Sequence, residues 1–116
     1  MCHVLIIEDE WLIAEYLIYL AEEAGATSIA TASTEADAVR AAQERRPDII
    51  FSDVKLLAGT GPRAVQAIFS ALGKIPVIFI SGVPDSCQPC EPPNVILRKP
   101  VDPARLLGAF RRLAPV

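Results

Sequence analysis

The sequence predicts an α/β fold in which one parallel sheet is covered by helices on both faces. Compact apolar runs rich in β-branched residues recur along the chain, as at 3–8 (HVLIIE), 48–53 (DIIFSD) and 75–81 (IPVIFIS). Segments with helical spacing lie between them, and Gly, Pro and short polar residues punctuate the joins. Strands that read as continuous apolar runs and alternate with amphipathic helices belong to parallel sheets buried on both sides, with right-handed crossovers.

Residues 3–8 form the first strand. Residues 10–24 (EWLIAEYLIYLAEEA) have helical spacing, with Leu12, Ile13, Tyr16, Leu17 and Leu20 expected on one face, and Gly25 stands where the helix needs a residue free to take positive φ. Residues 27–31 (TSIAT) are a short, weak strand. Ser33 or Thr34 caps the next helix, Glu35 or Asp37 lies in its first turn, and Pro47 ends it. Residues 48–53 are the third strand and end in an acid. Residues 54–61 (VKLLAGTG) are a loop with two glycines, and Pro62 opens a helix over 62–72. Residues 75–81 are the fourth strand, with Pro76 tolerable near its start. Residues 94–98 (NVILR) are the last strand, and 102–113 the last helix, capped by Asp102.

One crossover breaks the pattern. Residues 82–93 (GVPDSCQPCEPP) stand where a fourth helix belongs, yet prolines occupy 84, 89, 92 and 93. An interior proline costs a helix about 3 kcal/mol or more, so the fourth helix is expected to be short, irregular or disordered.

A chain of 116 residues is the size of one domain, and 52% hydrophobic residues are enough for a buried core. No apolar run approaches the roughly 20 residues that span a bilayer. The acids Glu8, Asp9 and Glu10 follow the first apolar run at once, unlike a signal peptide. A cytoplasmic location without membrane contact is the expectation. A formal charge of −3 offers no basic field to a polyanion, and the pairs Arg45–Arg46 and Arg111–Arg112 sit near expected helix ends, where cations favour the dipole. Nucleic acid is therefore not an expected partner. Three cysteines do not make a complete disulfide framework. Cys87 and Cys90 follow the fourth strand, whereas Cys2 and His3 begin the first, at the opposite end of a parallel sheet, which argues against a shared four-ligand metal site. The cysteines read as inert thiols, with a reversible Cys87–Cys90 bridge as the alternative.

In open α/β sheets ligands bind beyond the carboxyl ends of the strands, where strand order reverses. The first strand delivers Glu8 and Asp9 to that end, the third Asp53, the fourth Ser81 and the fifth Lys99 followed by Pro100. Clustered carboxylates repel and resist desolvation unless cations balance them. Lys99 supplies one charge, and a hard divalent ion such as Mg²⁺ suits the rest. An aspartate can act as a nucleophile and hold an acyl phosphate, while metal and lysine neutralise the transferred oxygens. Acids at 8–10 taken alone would be an ordinary helix start, Ser81 alone a hydroxyl that bonds the backbone at a strand end, and Lys99 alone an ordinary surface lysine; their convergence from four strands is what points to chemistry. Trp11 follows the acidic pair and is expected to be partly exposed near the site.

The stretches VLIIEDE, DIIFSD with Gly61 eight residues beyond the aspartate, VIFISG and LRKP, taken in order, resemble the receiver domain of two-component response regulators over essentially the whole chain. The resemblance implies a flavodoxin-like (βα)5 doubly wound sheet of order 2-1-3-4-5. It implies that a histidine kinase or phosphotransfer protein phosphorylates Asp53. Glu8, Asp9, Asp53 and the backbone carbonyl of Lys55 would bind Mg²⁺, and Ser81 and Lys99 would contact the phosphoryl group. EDEWLIAE, DVKLLAGTG and FISG are further similar to an alphaproteobacterial branch whose fourth strand ends in Phe-Ala-Thr-Gly, although Ile80 and Ser81 replace Ala and Thr.

Departures from the family pattern are Leu57, where proline is common, and Ile96, where an aromatic switch residue is usual. Together with the proline-rich crossover they suggest that phosphorylation orders or repositions residues 82–93. Lys55 and Val83 offer no group to orient an attacking water, so slow autodephosphorylation is expected. Lys55 also stands where a dehalogenase-type hydrolase needs a second aspartate. The chain ends at the last helix, which reads as a single stand-alone domain over 1–116 without an output domain, acting on a separate protein through residues 82–113. The competing reading is a phosphorylation-independent binding module on the same fold.

Overall fold

The computed structural model describes residues 1–56, 58–82 and 95–114. Its elements run β1 (His3–Ile7), α1 (Trp11–Ala24), β2 (Ser28–Ala32), α2 (Glu35–Glu44), β3 (Ile49–Asp53), α3 (Gly61–Leu72), β4 (Val77–Ser81), β5 (Val95–Arg98) and α4 (Pro103–Leu113). The five strands form one parallel sheet in the order β2-β1-β3-β4-β5. This is the flavodoxin-like sheet expected, and strand order reverses between β1 and β3. The expected irregular fourth helix and the pair Cys87 and Cys90 lie outside the described residues.

Alternation along each strand divides the core in two, because successive side chains point to opposite faces. Val4, Ile6, Phe51, Ile78 and Ile80 pack beneath α1 and α4 with Leu17, Leu20, Leu106 and Phe110. The Phe51 and Phe110 rings meet edge to face, with centroids 6.1 Å apart. Leu5, Ile7, Ile50 and Phe79 face the other way, against Ala38 and Ala42 of α2 and Ala64, Val65 and Ile68 of α3. β2 is an edge strand, and its first four residues are only partly covered, which accounts for its weak apolar pattern.

Helix boundaries follow local chemistry. Gly25 takes φ 114° and its N–H donates to the carbonyls of Ala21 and Glu22, ending α1. The Thr34 hydroxyl accepts the Asp37 N–H, the Thr60 hydroxyl the Arg63 N–H, and the Asp102 carboxylate the Ala104 N–H. α2 stops at Glu44, before Pro47, and the Arg46 guanidinium reaches across to the carbonyls of Leu72 and Lys74 at the end of α3.

The expected inner face of α1 needs correction. Leu17, Leu20 and Ala21 are buried, but Leu12 is 67% exposed and Tyr16 is 42% exposed. At 3.6 residues per turn Leu12 lies roughly 140° around the helix from Leu17. The stripe that packs on the sheet runs instead through Ile13, Leu17, Leu20, Ala21 and Ala24.

Candidate functional site

Strand register brings the acids level. Ile7 pairs with Ser52 and Asp53 with Ile80, so Glu8, one step beyond β1, stands beside Asp53 at the end of β3. Ser81 pairs with Arg98, which sets Lys99 one step beyond β5. The Lys99 N–H donates to the Ser81 carbonyl at 2.9 Å, and the Lys99–Pro100 peptide is cis. The structure thus brings Glu8, Asp9, Asp53, Ser81 and Lys99 together at one end of the sheet. Cys2 and His3 lie at the other, where the His3 N–H donates to Asp48 and its Nδ1 is 2.8 Å from the Ser28 hydroxyl.

One carboxylate oxygen from each of Glu8, Asp9 and Asp53 lies within 4.8 Å of the others. The Lys99 ammonium is 3.2 Å from Asp53 Oδ1 and 3.6 Å from Glu8 Oε1. Asp53 Oδ1 also accepts the Val54 N–H at 2.8 Å. Glu8 Oε2 accepts the N–H groups of Asp9 and Glu10, which fixes its side chain against the start of α1. Glu8 Oε1 is buried and has no hydrogen-bond partner among the described residues.

Charge in this cluster is unbalanced. Burial raises the Glu8 carboxyl to about 7, with Asp53 adding to the rise and Lys99 opposing it in part. Burial alone would lower the Lys99 ammonium, but the Asp53 and Glu8 carboxylates outweigh it and hold it above its ordinary value. Among the described residues, three carboxylates gather around the Lys99 ammonium, and the buried Glu8 Oε1 pairs with that charge without accepting a hydrogen bond; this oxygen-rich donor set fits a hard divalent cation. Mg²⁺ held there would neutralise charge on the oxygens of an incoming phosphoryl group.

The loop after β3 folds back on itself. Gly61 N–H donates to Val54 O and Leu56 N–H to Gly59 O, so Lys55 and Thr60 form an antiparallel bridge. Those two bonds flank the Lys55–Thr60 pair and leave the Lys55 carbonyl out of the ladder. Gly61 allows the loop to fold back this tightly, since a Cβ there would lie 1.7 Å from Asp53 O and 2.3 Å from Ser52 Oγ. Ser52 Oγ itself donates to Asp53 O at 2.9 Å. Trp11 is 72% exposed just beyond the acidic pair, more open than the partial exposure expected, and Ile96 is 38% exposed on β5. Leu57 and Val83 lie outside the described residues.

A residue that sequence reasoning passed over is Glu35, considered only as a first-turn acid. Its Oε2 accepts the Thr60 N–H at 2.8 Å, and its own N–H donates to Ala58 O. Nothing in the local sequence marks that contact, which joins residues 25 apart.

A buried aspartate flanked by two acids and a lysine thus stands at the switch point of a five-stranded parallel sheet. The chain belongs to the response regulator receiver domain family, whose model matches residues 4–111. It is 38% identical over 107 residues to the phyllosphere-induced regulator PhyR of Methylorubrum extorquens, covering 89% of this chain and 40% of that protein. The solution structure of the PhyR receiver domain from Erythrobacter litoralis superposes with a TM-score of 0.86 at 30% identity, over 97% of this chain and 88% of that one. A crystal structure of a mutant form of the anti-anti-sigma factor PhyR from Bartonella quintana gives a TM-score of 0.82 at 31% identity, over 97% of this chain and 48% of that one. The chain thus spans less than half of the PhyR proteins for which more than the receiver is present. No helix among the described residues is long and apolar enough to cross a membrane.

Proposed function

We propose that this chain is a phosphorylation-switched receiver that accepts a phosphoryl group on Asp53. The observation that carries the reading is the Asp53 carboxylate held 3.2 Å from the Lys99 ammonium and within 4.8 Å of oxygens from Glu8 and Asp9. An Asp53 carboxylate oxygen attacks phosphorus, a P–O bond forms, and the bond to the donor's leaving group breaks. With a phosphohistidine donor, from a histidine kinase or phosphotransfer protein, the imidazole departs with the P–N electron pair and takes a proton from solvent. Lys99 offsets negative charge at the acceptor, and the Val54 N–H orients the carboxylate. Glu8, Asp9, Asp53 and the Lys55 carbonyl hold Mg²⁺, and the Ser81 hydroxyl contacts the transferred group. Lys55 brings no carboxylate or amide to position water, so the acyl phosphate hydrolyses slowly.

Likeness to PhyR supports an output through protein–protein contact in the cytoplasm, and the anti-anti-sigma description of one relative supports a regulator of sigma factors as the class of partner. The face that includes β5 and α4 is the surface through which that contact is made. The test is incubation with Mg²⁺ and acetyl phosphate, followed by intact mass measurement on wild type and Asp53→Ala. A phosphate-sized gain in the wild type alone is expected. No gain in either protein means a phosphorylation-independent binding module.

A further inference from the structure

The loop that carries Lys55 is held from outside the acidic cluster. Glu35, the first residue of α2, reaches across to it: Oε2 accepts the Thr60 N–H at 2.8 Å, and the Thr34–Ala58 bridge runs alongside. Thr60 is the residue opposite Lys55 in the two-bond ladder, so the carboxylate grips the loop directly across from the proposed metal ligand. Gly59 is shaped around that grip. It takes φ 89°, and a Cβ would lie 1.7 Å from Glu35 Oε2 and 2.2 Å from its Cδ. The Arg63 guanidinium, 3.8 Å away and 71% exposed, is too open to a solvent screen to substitute for the hydrogen bond.

We propose that Glu35 is a positioning residue that holds residues 58–60 against Lys55 in the ladder that leaves the Lys55 carbonyl available to the metal. A backbone ligand on a loop must be ordered when the ion binds, and a loop ordered beforehand loses less entropy at that step. Among the described residues the Glu35 carboxylate forms no hydrogen bond or ion pair with the acids or Lys99, and it holds the loop through the Thr60 N–H. The inference rests on the Mg²⁺ site proposed above.

The test is calorimetric Mg²⁺ titration of wild type, Glu35→Ala, Glu35→Gln and Gly59→Ala, with amide exchange at Thr60 followed in each. Gln keeps an oxygen that can accept the Thr60 N–H, and both Glu35 variants lose the same charge near the α2 dipole, so their difference isolates the hydrogen bond. Glu35→Ala is expected to weaken Mg²⁺ binding by about fivefold, the worth of one net hydrogen bond, and to speed exchange at Thr60. Glu35→Gln stays near wild type. Gly59→Ala, which drives a methyl group into the carboxylate, weakens binding as well and serves if Glu35→Ala folds poorly. Wild-type affinity in Glu35→Ala, or equal losses in the Ala and Gln variants, overturns the role of Glu35 while leaving the site intact. A wild-type protein that binds no Mg²⁺ instead removes the site reading, and this inference with it.

Discussion

Glu8 is buried within the proposed cation site. Its carboxyl is raised to about 7 from an ordinary value of 4.5, first by burial and then by Asp53. An acid whose pKa is higher folded than unfolded holds its proton longer in the folded state. Its contribution to stability is complete below about 4.5 and is lost as pH rises through about 7. The metal-free protein, with chelator present, should therefore lose stability between about pH 4.5 and 7 relative to Glu8→Gln, read from urea midpoints. The buried His3 at the far end of the sheet titrates alike in both proteins, so the comparison cancels it. Parallel profiles would contradict the assignment. Because Lys99 pulls the Glu8 carboxyl down, Lys99→Met should shift the same transition to higher pH; an unmoved transition would separate the two groups energetically.

At the scale of elements, the turn after β3 and the helix α4 place contrasting demands on glycine. A methyl group at Gly61 meets Asp53 O at 1.7 Å, a backbone atom that cannot swing away, whereas one at Gly108 in α4 meets nothing within 4 Å. Gly61→Ala should destabilise by about 1–3 kcal/mol or more, as overpacking does. Gly108→Ala should stabilise by about 0.5–1 kcal/mol, because alanine is the better helix former. Chemical denaturation of both variants checks the pair, and changes of the same sign would refute it. The Gly61 variant should also lose Mg²⁺ affinity, since the turn it displaces begins beside Asp53. Gly61 was visible in the sequence as a glycine at a set distance from the aspartate, but its reason, close approach to the carbonyl of that same aspartate, needed the fold.

Across the whole molecule, legibility followed the physics of burial. Strands buried on both faces leave unbroken apolar runs, so β1, β3 and β4 and the residues at their carboxyl ends could be read directly, and with them Glu8, Asp9, Asp53, Ser81 and Lys99. The inner face of α1 could not. Leu12, Tyr16, Leu17 and Tyr19 spread large apolar and aromatic side chains around much of the helix, and only docking on the sheet selects the stripe that is buried. Glu35 was illegible for a different reason, since its partner is distant in sequence and local pattern records no such contact. What the strand ends assemble is the proposed acceptor site, and the central claim about it concerns a single carboxylate. The most direct measurement is to treat protein exposed to acetyl phosphate and Mg²⁺ with borohydride, which reduces an aspartyl phosphate to homoserine, and to map the peptides by mass. Homoserine in place of Asp53, and of no other aspartate, is the predicted result. Reduction at Asp9 instead, or a peptide in which Asp53 remains unmodified, would contradict the account.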